Sequence, residues 1–134
     1  MGCLMIRILA LGCLLASSAA AETPMTGEEF DAYVTGKSIQ WRTDANPSYG
    51  IERYLPGRQV VWSPRPGFCV EGEWFVRDDA ICFTYDNDPG PECWHIFETG
   101  TGLVADLLTG TGNLTVREVN QITEPVCPGI DLLG

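Results

Sequence analysis

The chain has 134 residues, with 18 acidic against 8 basic side chains and a formal net charge of −10 at pH 7. This length supports one small domain rather than two. The excess of acid excludes the basic surface that phosphate binding needs, so we expect no nucleic-acid partner. With 45% hydrophobic and 19% charged residues, the composition also excludes an intrinsically disordered chain.

Residues 1–21 have the layout of a secretory signal. Arg7 supplies one positive charge, an apolar run covers 8–16, and the small residues that follow end in three alanines. We predict cleavage after Ala21, export to the periplasm or the medium, and a single domain over 22–134. The apolar run is shorter than the roughly 20 residues of a transmembrane helix, so we expect no stable membrane span.

Cys13 allows a competing interpretation of this segment, as the lipid attachment site of a lipoprotein. Such signals place Leu three residues before the modified cysteine, whereas this chain has Ala10 there and Leu9 one residue too early. Signal cleavage after Ala21 is therefore favoured, and Cys3 and Cys13 would leave with the signal.

The first predicted element after the signal is a short helix over 27–34. Thr26 can cap its first free N–H groups, and Glu29, three residues later, can reach back to the cap. Met25 and Phe30 occupy the positions of a hydrophobic staple. Two turns of helix are marginal alone, so this element must pack against other structure.

Eight segments with strand character follow, separated by turn residues. They cover 38–43, 49–54, 59–63, 73–76, 80–85, 92–98, 102–108 and 113–122. Their links are too short for parallel crossovers, so neighbouring strands should be antiparallel. We predict a mainly β fold: an eight-stranded antiparallel meander, closed as a small up-and-down barrel or open as a strongly curved sheet, with one short N-terminal helix.

Four cysteines lie beyond the predicted signal: Cys69, Cys82, Cys93 and Cys127. An even number in a small exported domain predicts two disulfides. A zinc site is the other use of four cysteines, but the chain has no Cys-x-x-Cys pair and export favours oxidation. We therefore expect no metal and no other cofactor.

Strand register helps to choose between the three pairings of four cysteines. Placing Cys82 opposite Cys93 sends Ile81, Phe83, Tyr85, Trp94 and Ile96 to one face, which is the split that a half-buried hairpin needs. A tight turn at 71–72 would put Cys69 two strands away from Cys82, beyond disulfide reach. The favoured set is Cys82–Cys93 with Cys69–Cys127.

Two polar features have simple structural explanations. His95 is the single histidine and has no nucleophile motif near it, so we place it on the outer face of a strand. Residues 86–90 (Asp-Asn-Asp-Pro-Gly) resemble the start of a calcium loop, but the distal Glu is missing. These residue types are also those of a hairpin turn, which is the favoured interpretation.

The aromatic residues fit either a core or a binding pocket. A filled interior is the default for such side chains and is favoured here. If the barrel is wide enough, the four tryptophans would instead line a site for a small apolar or planar ligand: Trp41, Trp62, Trp74 and Trp94.

A set of short motifs covers most of the chain beyond the predicted signal. They are Gly72-x-Trp74, Ile81-Cys82-Phe83-x-Tyr85, Pro89-x-Pro91-x-Cys93-Trp94-x-x-Phe97 and Gly100-x-Gly102-Leu103, with the stretches 25–30 and 49–58. In these motifs the chain resembles small exported proteobacterial proteins that carry a domain of unknown function. The resemblance implies a periplasmic β domain with paired cysteines and implies no reaction.

A non-enzymatic binding or interaction module is the favoured function, because the sequence shows no catalytic constellation. Its partner would be a small apolar ligand or a basic protein. The alternative is an inhibitor of a cationic envelope-directed enzyme such as lysozyme, since strong negative charge steers a basic partner. A carboxylate-based hydrolase is less favoured, because its acids would lie on solvated turns: Asp78, Asp79, Asp86 and Asp88.

Overall fold

The computed structural model describes residues 22–110, 113–122 and 127. The predicted signal, its cleavage site and the alternative lipid site at Cys13 lie outside the described residues. Within the described part of the chain, no helix is long and apolar enough to cross a bilayer.

The described chain forms one α-helix followed by eight strands. The helix α1 spans Gly27–Val34. The strands are β1 (Ser38–Arg42), β2 (Gly50–Leu55), β3 (Gln59–Arg65), β4 (Phe68–Arg77), β5 (Ala80–Tyr85), β6 (Asp88–Thr99), β7 (Gly102–Leu107) and β8 (Thr115–Ile122).

Each strand pairs with the next, and β1 also pairs with β8, so the meander closes into a barrel. The closing seam is antiparallel and runs from Ser38 opposite Ile122 to Arg42 opposite Arg117. The prediction of an eight-stranded antiparallel meander is confirmed, in its closed form. Closure removes the unpaired sheet edges that an open curved sheet would leave.

Strand β4 is much longer than the segment 73–76 predicted for it. Glu71 and Gly72 continue the strand and pair with Val61 and Val60 of β3. The predicted turn at 71–72 is therefore wrong. The chain reverses instead next to Gly67, whose φ of 79° suits glycine.

Helix α1 closes one end of the barrel. Its cap is the predicted one, since the Glu29 N–H donates to Thr26 Oγ1 and the Thr26 N–H donates to Glu29 Oε1. Phe30 is fully buried and makes edge-to-face contacts with Tyr54, Trp74 and Phe83. The helix thus buries its apolar side across several strands, which supplies the packing that two turns need.

The two ends of the barrel differ in what covers them. Gly27 of α1 lies beside Val76 and Arg58, at the end where the β2–β3 and β4–β5 connections lie. In an up-and-down barrel the β1–β2 and β5–β6 connections lie at the opposite end. We call this second end the open end, because the helix does not reach it.

Both favoured disulfides are formed. Cys82 and Cys93 are opposite each other on β5 and β6 with Cα atoms 4.0 Å apart, and Cys69 joins Cys127 at 6.1 Å. Contrary to the expectation, Cys69 and Cys82 are not two strands apart but lie on the neighbouring strands β4 and β5. Phe75 is the residue opposite Cys82. Cys69 lies six residues further along β4, roughly 20 Å away.

Candidate functional site

The open end of the barrel contains a cavity of about 230 Å³. The expectation of a filled interior is therefore wrong at this end, while the helix end is filled by Phe30 and its neighbours. The cavity is lined by aromatic, small apolar and acidic residues: Trp41, Tyr49, Glu52, Tyr54, Trp62, Phe83, Tyr85, Asn87, Asp88, Glu92, Trp94, Ile96, Ala105 and Val116.

The most unusual lining residue is Glu52 on β2. Alternate residues of this strand are buried, namely Gly50, Glu52 and Tyr54, so the pleat sends the Glu52 side chain into the barrel. Its cross-strand neighbours are Ile39 on β1 and Trp62 on β3. Only 2% of Glu52 is exposed. A carboxyl group is rarely buried to this degree without a charged partner.

One oxygen of the Glu52 carboxyl is bonded and the other is not. The Tyr85 hydroxyl donates to Oε1 at 2.9 Å, whereas Oε2 is buried without a hydrogen-bond partner among the described residues. Burial raises the pKa of Glu52 to about 8, against the opposing effect of the Tyr85 hydrogen bond and with a contribution from Glu92. Glu52 is therefore mostly protonated at neutral pH.

Two further carboxylates lie at the mouth of the cavity. Glu92 on β6 is opposite Phe83, and Asp88 is opposite Tyr85, so both belong to inward-facing positions. Partial burial of the Glu92 carboxyl raises its pKa, and the nearby Asp88 charge adds to the effect. No lysine, arginine or histidine is among the described lining residues. The cavity therefore has acidic groups without basic ones.

Seven aromatic side chains line the cavity and are called the aromatic wall below: Trp41, Tyr49, Tyr54, Trp62, Phe83, Tyr85 and Trp94. Two glycines make room for rings of this wall. A Cβ on Gly50 would collide with the Trp62 ring, and a Cβ on Gly72 would collide with the Thr84 carbonyl and the Tyr85 ring. Trp62 in turn contacts Tyr49, with ring centroids 5.6 Å apart. The absence of side chains at these two strand positions lets the Trp62 and Tyr85 rings lie close to the sheet.

Three of the four tryptophans expected to line a pocket do so, namely Trp41, Trp62 and Trp94. Trp74 does not. Its ring lies 5.1 Å from Phe30 at the helix end, with the Arg58 guanidinium 4.5 Å from its centre. The Trp74 side chain faces the interior of the barrel, but it lies near the helix end and does not reach the cavity.

The other polar candidates lie outside the cavity. His95 Nε2 is 2.8 Å from Asp79 Oδ1 on the surface, and this hydrogen bond lowers the pKa of Asp79. Asp78 and Asp86 are exposed turn residues that do not line the cavity. Among the described residues, no group of three or more His, Cys, Asp or Glu side chains is arranged to hold a metal ion.

Sequence reasoning did not identify Glu52, Tyr85 or Glu92 as site residues. One signal was present in the sequence. Glu52 is two residues before Tyr54, so the two side chains point to the same face of the strand, and an aromatic residue such as Tyr54 typically faces a core. An acid in the inward phase of a strand predicts either a functional site or a buried pair.

Comparisons of the chain with protein-family models, with curated proteins and with solved structures give no match.

Proposed function

We propose that this protein is a non-enzymatic binding module that takes one small, largely apolar molecule into the open end of its barrel. The observation that carries the proposal is an open cavity of about 230 Å³, half of whose lining residues are aromatic and which is also lined by a buried carboxyl group. Concave, apolar sites with a few convergent polar groups are the usual form of small-molecule sites.

The size of the cavity limits the ligand. Sites for drug-sized molecules are roughly 300–1,000 Å³. The space around Glu52 is smaller, so the ligand would be smaller than a typical drug or would leave part of itself in solvent. The rings of Trp41, Trp62 and Trp94 suit a molecule with an apolar body.

Binding rather than catalysis is favoured by the groups that line the cavity. No serine, threonine, cysteine or histidine is among the described lining residues. The carboxyl, phenol and amide groups present can hold and orient a ligand. A covalent mechanism would need one of the carboxyl groups to act as nucleophile, and mostly protonated Glu52 is poorly suited to this role; its raised pKa is instead the property of a general acid.

We also propose that the protein works outside the cytoplasm, in the periplasm or the medium, after cleavage following Ala21. Two disulfides in a domain of this size support an oxidising compartment. The motif resemblance to exported proteobacterial proteins with a domain of unknown function agrees with this proposal. Mass spectrometry of the exported product should give a chain that starts at Glu22, with four oxidised cysteines and no lipid.

The binding proposal is tested by ligand-observed NMR with benzene, phenol, indole and cyclohexanol. Saturation transfer should reach at least one of these probes. Ala105→Leu should abolish the transfer, because the larger side chain extends into the cavity that Ala105 lines. Ala32→Leu, the same change on the exposed side of α1, serves as the control. Transfer unchanged by Ala105→Leu would contradict the proposal, as would the absence of transfer both to these probes and to choline.

The inhibitor alternative is supported by a separate feature, the charge. A net charge of −10, with Asp88 and Glu92 at the open end, would attract a basic enzyme to that end. The test follows cell-wall lysis by lysozyme with the protein in molar excess. Lysis that falls with added protein, and recovers in an Asp88→Asn/Glu92→Gln variant, would support it. Undiminished lysis would contradict it.

A further inference from the structure

The carboxyl groups in the cavity have no basic counterpart among the described lining residues. Glu52, Asp88 and Glu92 contribute carboxyl groups, and the described lining residues include no cationic side chain. Elsewhere in the described structure, aromatic rings do have cations from the protein: Lys37 lies over Tyr33, Arg58 over Trp74 and Arg65 over Phe68. None of these rings lines the cavity. Carboxyl groups, by contrast, lie beside the rings that line the cavity.

We infer that the ligand of this cavity is an organic cation, an alkylammonium or quaternary ammonium group on a small molecule, held between the Glu52 carboxylate and the aromatic wall. This inference rests on the proposed function and specifies its ligand class. An ammonium group is attracted both by a carboxylate and by the faces of Trp and Tyr rings.

The unbonded oxygen of Glu52 is the main geometric support. Oε2 is buried and has no hydrogen-bond partner among the described residues, although Oε1 accepts from Tyr85. A buried carboxyl group is unfavourable unless its charge and its lone pairs are satisfied. A cation in the cavity that Glu52 lines would supply the opposite charge to its carboxylate.

The aromatic wall supplies the second half of the site. Trp41, Trp62, Trp94 and Tyr49 line the same cavity as Glu52, and tryptophan gives the strongest cation–π attraction of the aromatic side chains. An anionic ligand would be repelled by the acids. The negative charge of the whole protein would also raise the local concentration of a cation at the open end.

Binding a cation should release a proton from Glu52. The protonated carboxyl group loses H⁺ to solvent and becomes the carboxylate that faces the ligand, so charge balances. The titratable groups facing Glu52 are Tyr85 on β5, Glu92 on β6 and Tyr54 on its own strand. The adjacent strands β1 and β3 place Ile39 and Trp62 beside it. The two tyrosines stay neutral, because burial raises their pKa values further.

The experiment compares choline with its uncharged carbon isostere, 3,3-dimethylbutan-1-ol, by isothermal titration at low ionic strength. At about pH 9, where Glu52 is ionised, choline should bind about tenfold or more tightly than the isostere. Glu52→Gln should weaken choline binding by about tenfold and leave isostere binding within about twofold. Glu73→Gln, which removes an exposed charge on β4, should leave both affinities unchanged.

The outcomes separate the two proposals. If the isostere binds as tightly as choline, or if Glu52→Gln leaves choline binding intact, the cation inference is overturned and the binding module stands. If neither compound binds while the neutral NMR probes do, the cation inference fails alone. If no compound of either set binds, both fail. A Glu92→Gln variant, altered at the exposed mouth, should also lose part of the choline affinity and does not depend on a core substitution.

Discussion

Tyr85 on β5 donates a hydrogen bond of 2.9 Å to Glu52 on β2, between two strands that are not neighbours in the barrel. The bond therefore crosses the interior. It satisfies one oxygen of a buried carboxyl group, and it fixes the position of that group in the cavity.

The first prediction concerns the hydrogen bond itself. The Tyr85 hydroxyl opposes the raised pKa of Glu52, because it donates to the ionised form. Tyr85→Phe removes this donor and should raise the pKa of Glu52 above about 8. The measurement is the ¹³C chemical shift of the Glu52 carboxyl carbon as a function of pH. A titration midpoint that falls in the variant would contradict the assignment of Tyr85 as the donor.

The second prediction concerns stability as a function of pH. The pKa of Glu52 is about 8 in the folded protein and 4.5 in its ordinary state, so the folded state holds a proton that the unfolded state releases. The proton on Glu52 therefore makes its full contribution to the free energy of unfolding below about pH 4.5. This contribution is lost as pH rises to about 8, by up to about 1.4 kcal/mol for each pH unit. Urea unfolding at several pH values should show this slope.

Glu52→Gln should flatten that slope and become more stable than the original chain as pH rises. A smaller slope should persist in the variant, because the pKa of Glu92 is raised as well. Glu73→Gln has an exposed side chain and should keep the original slope. Identical slopes in the original chain and in Glu52→Gln would show that Glu52 titrates in its ordinary range.

The third prediction concerns the closed end. Phe30 is fully buried against Tyr54, Trp74 and Phe83, so Phe30→Ala should lower the free energy of unfolding by about 3–5 kcal/mol. Phe68→Ala is the matched control, since Phe68 is 42% exposed and its loss should cost less than about 1 kcal/mol. Similar losses for the two variants would mean that α1 does not close the barrel.

The fourth prediction compares the disulfides. Cys69–Cys127 closes a loop with a sequence separation of 58, and Cys82–Cys93 one of 11. Chain entropy assigns them about 4 and about 3 kcal/mol. Urea unfolding of the two paired alanine variants should show a loss in both, with that of Cys69–Cys127 at least as large. A loss under about 1 kcal/mol for Cys69–Cys127 would show that this bridge does not constrain the unfolded chain.

The fifth prediction links a glycine to the site. An alanine at position 72 would push its Cβ into the Thr84 carbonyl and the Tyr85 ring, so Gly72→Ala should destabilise the protein by about 1–3 kcal/mol and disturb the Tyr85–Glu52 bond. Gly100→Ala, where the added atom has open space, is the control. Thermal unfolding and the Glu52 titration measure the two effects. Equal behaviour of the two variants would contradict the close approach.

The architecture was predictable because the signals for it are local. Turn residues separate the strands, and the hairpin of β5 and β6 has a clear apolar face, so its register and the Cys82–Cys93 pair follow from the sequence. Strand β2 has no such signal. One phase holds Gly50, Glu52 and Tyr54, and the other holds Ile51, Arg53 and Leu55. Each set includes one charged residue, and the more apolar set, Ile51, Arg53 and Leu55, faces outward.

The cavity was less predictable from the sequence. The alternation of residues along a strand tells which side chains face inward, but it does not tell how far along the barrel axis each side chain lies. Trp74 and Trp94 both face inward, yet Trp74 lies against Phe30 and Trp94 lines the cavity. Strand tilt and stagger decide which end each side chain reaches, and these depend on pairings around the whole barrel. Similarly, the packing of Tyr54 against Phe30 decides which face of β2 turns inward, and Glu52 is buried because it lies on the same face as Tyr54.

The most direct test of a ligand cavity built around Glu52 is the ¹³C titration of its carboxyl carbon with and without saturating tetramethylammonium. We expect a midpoint near 8 for the free protein and a lower midpoint with the cation present, because the bound charge favours the carboxylate. A midpoint near 4.5 in the free protein, or one that the cation does not move, would contradict it.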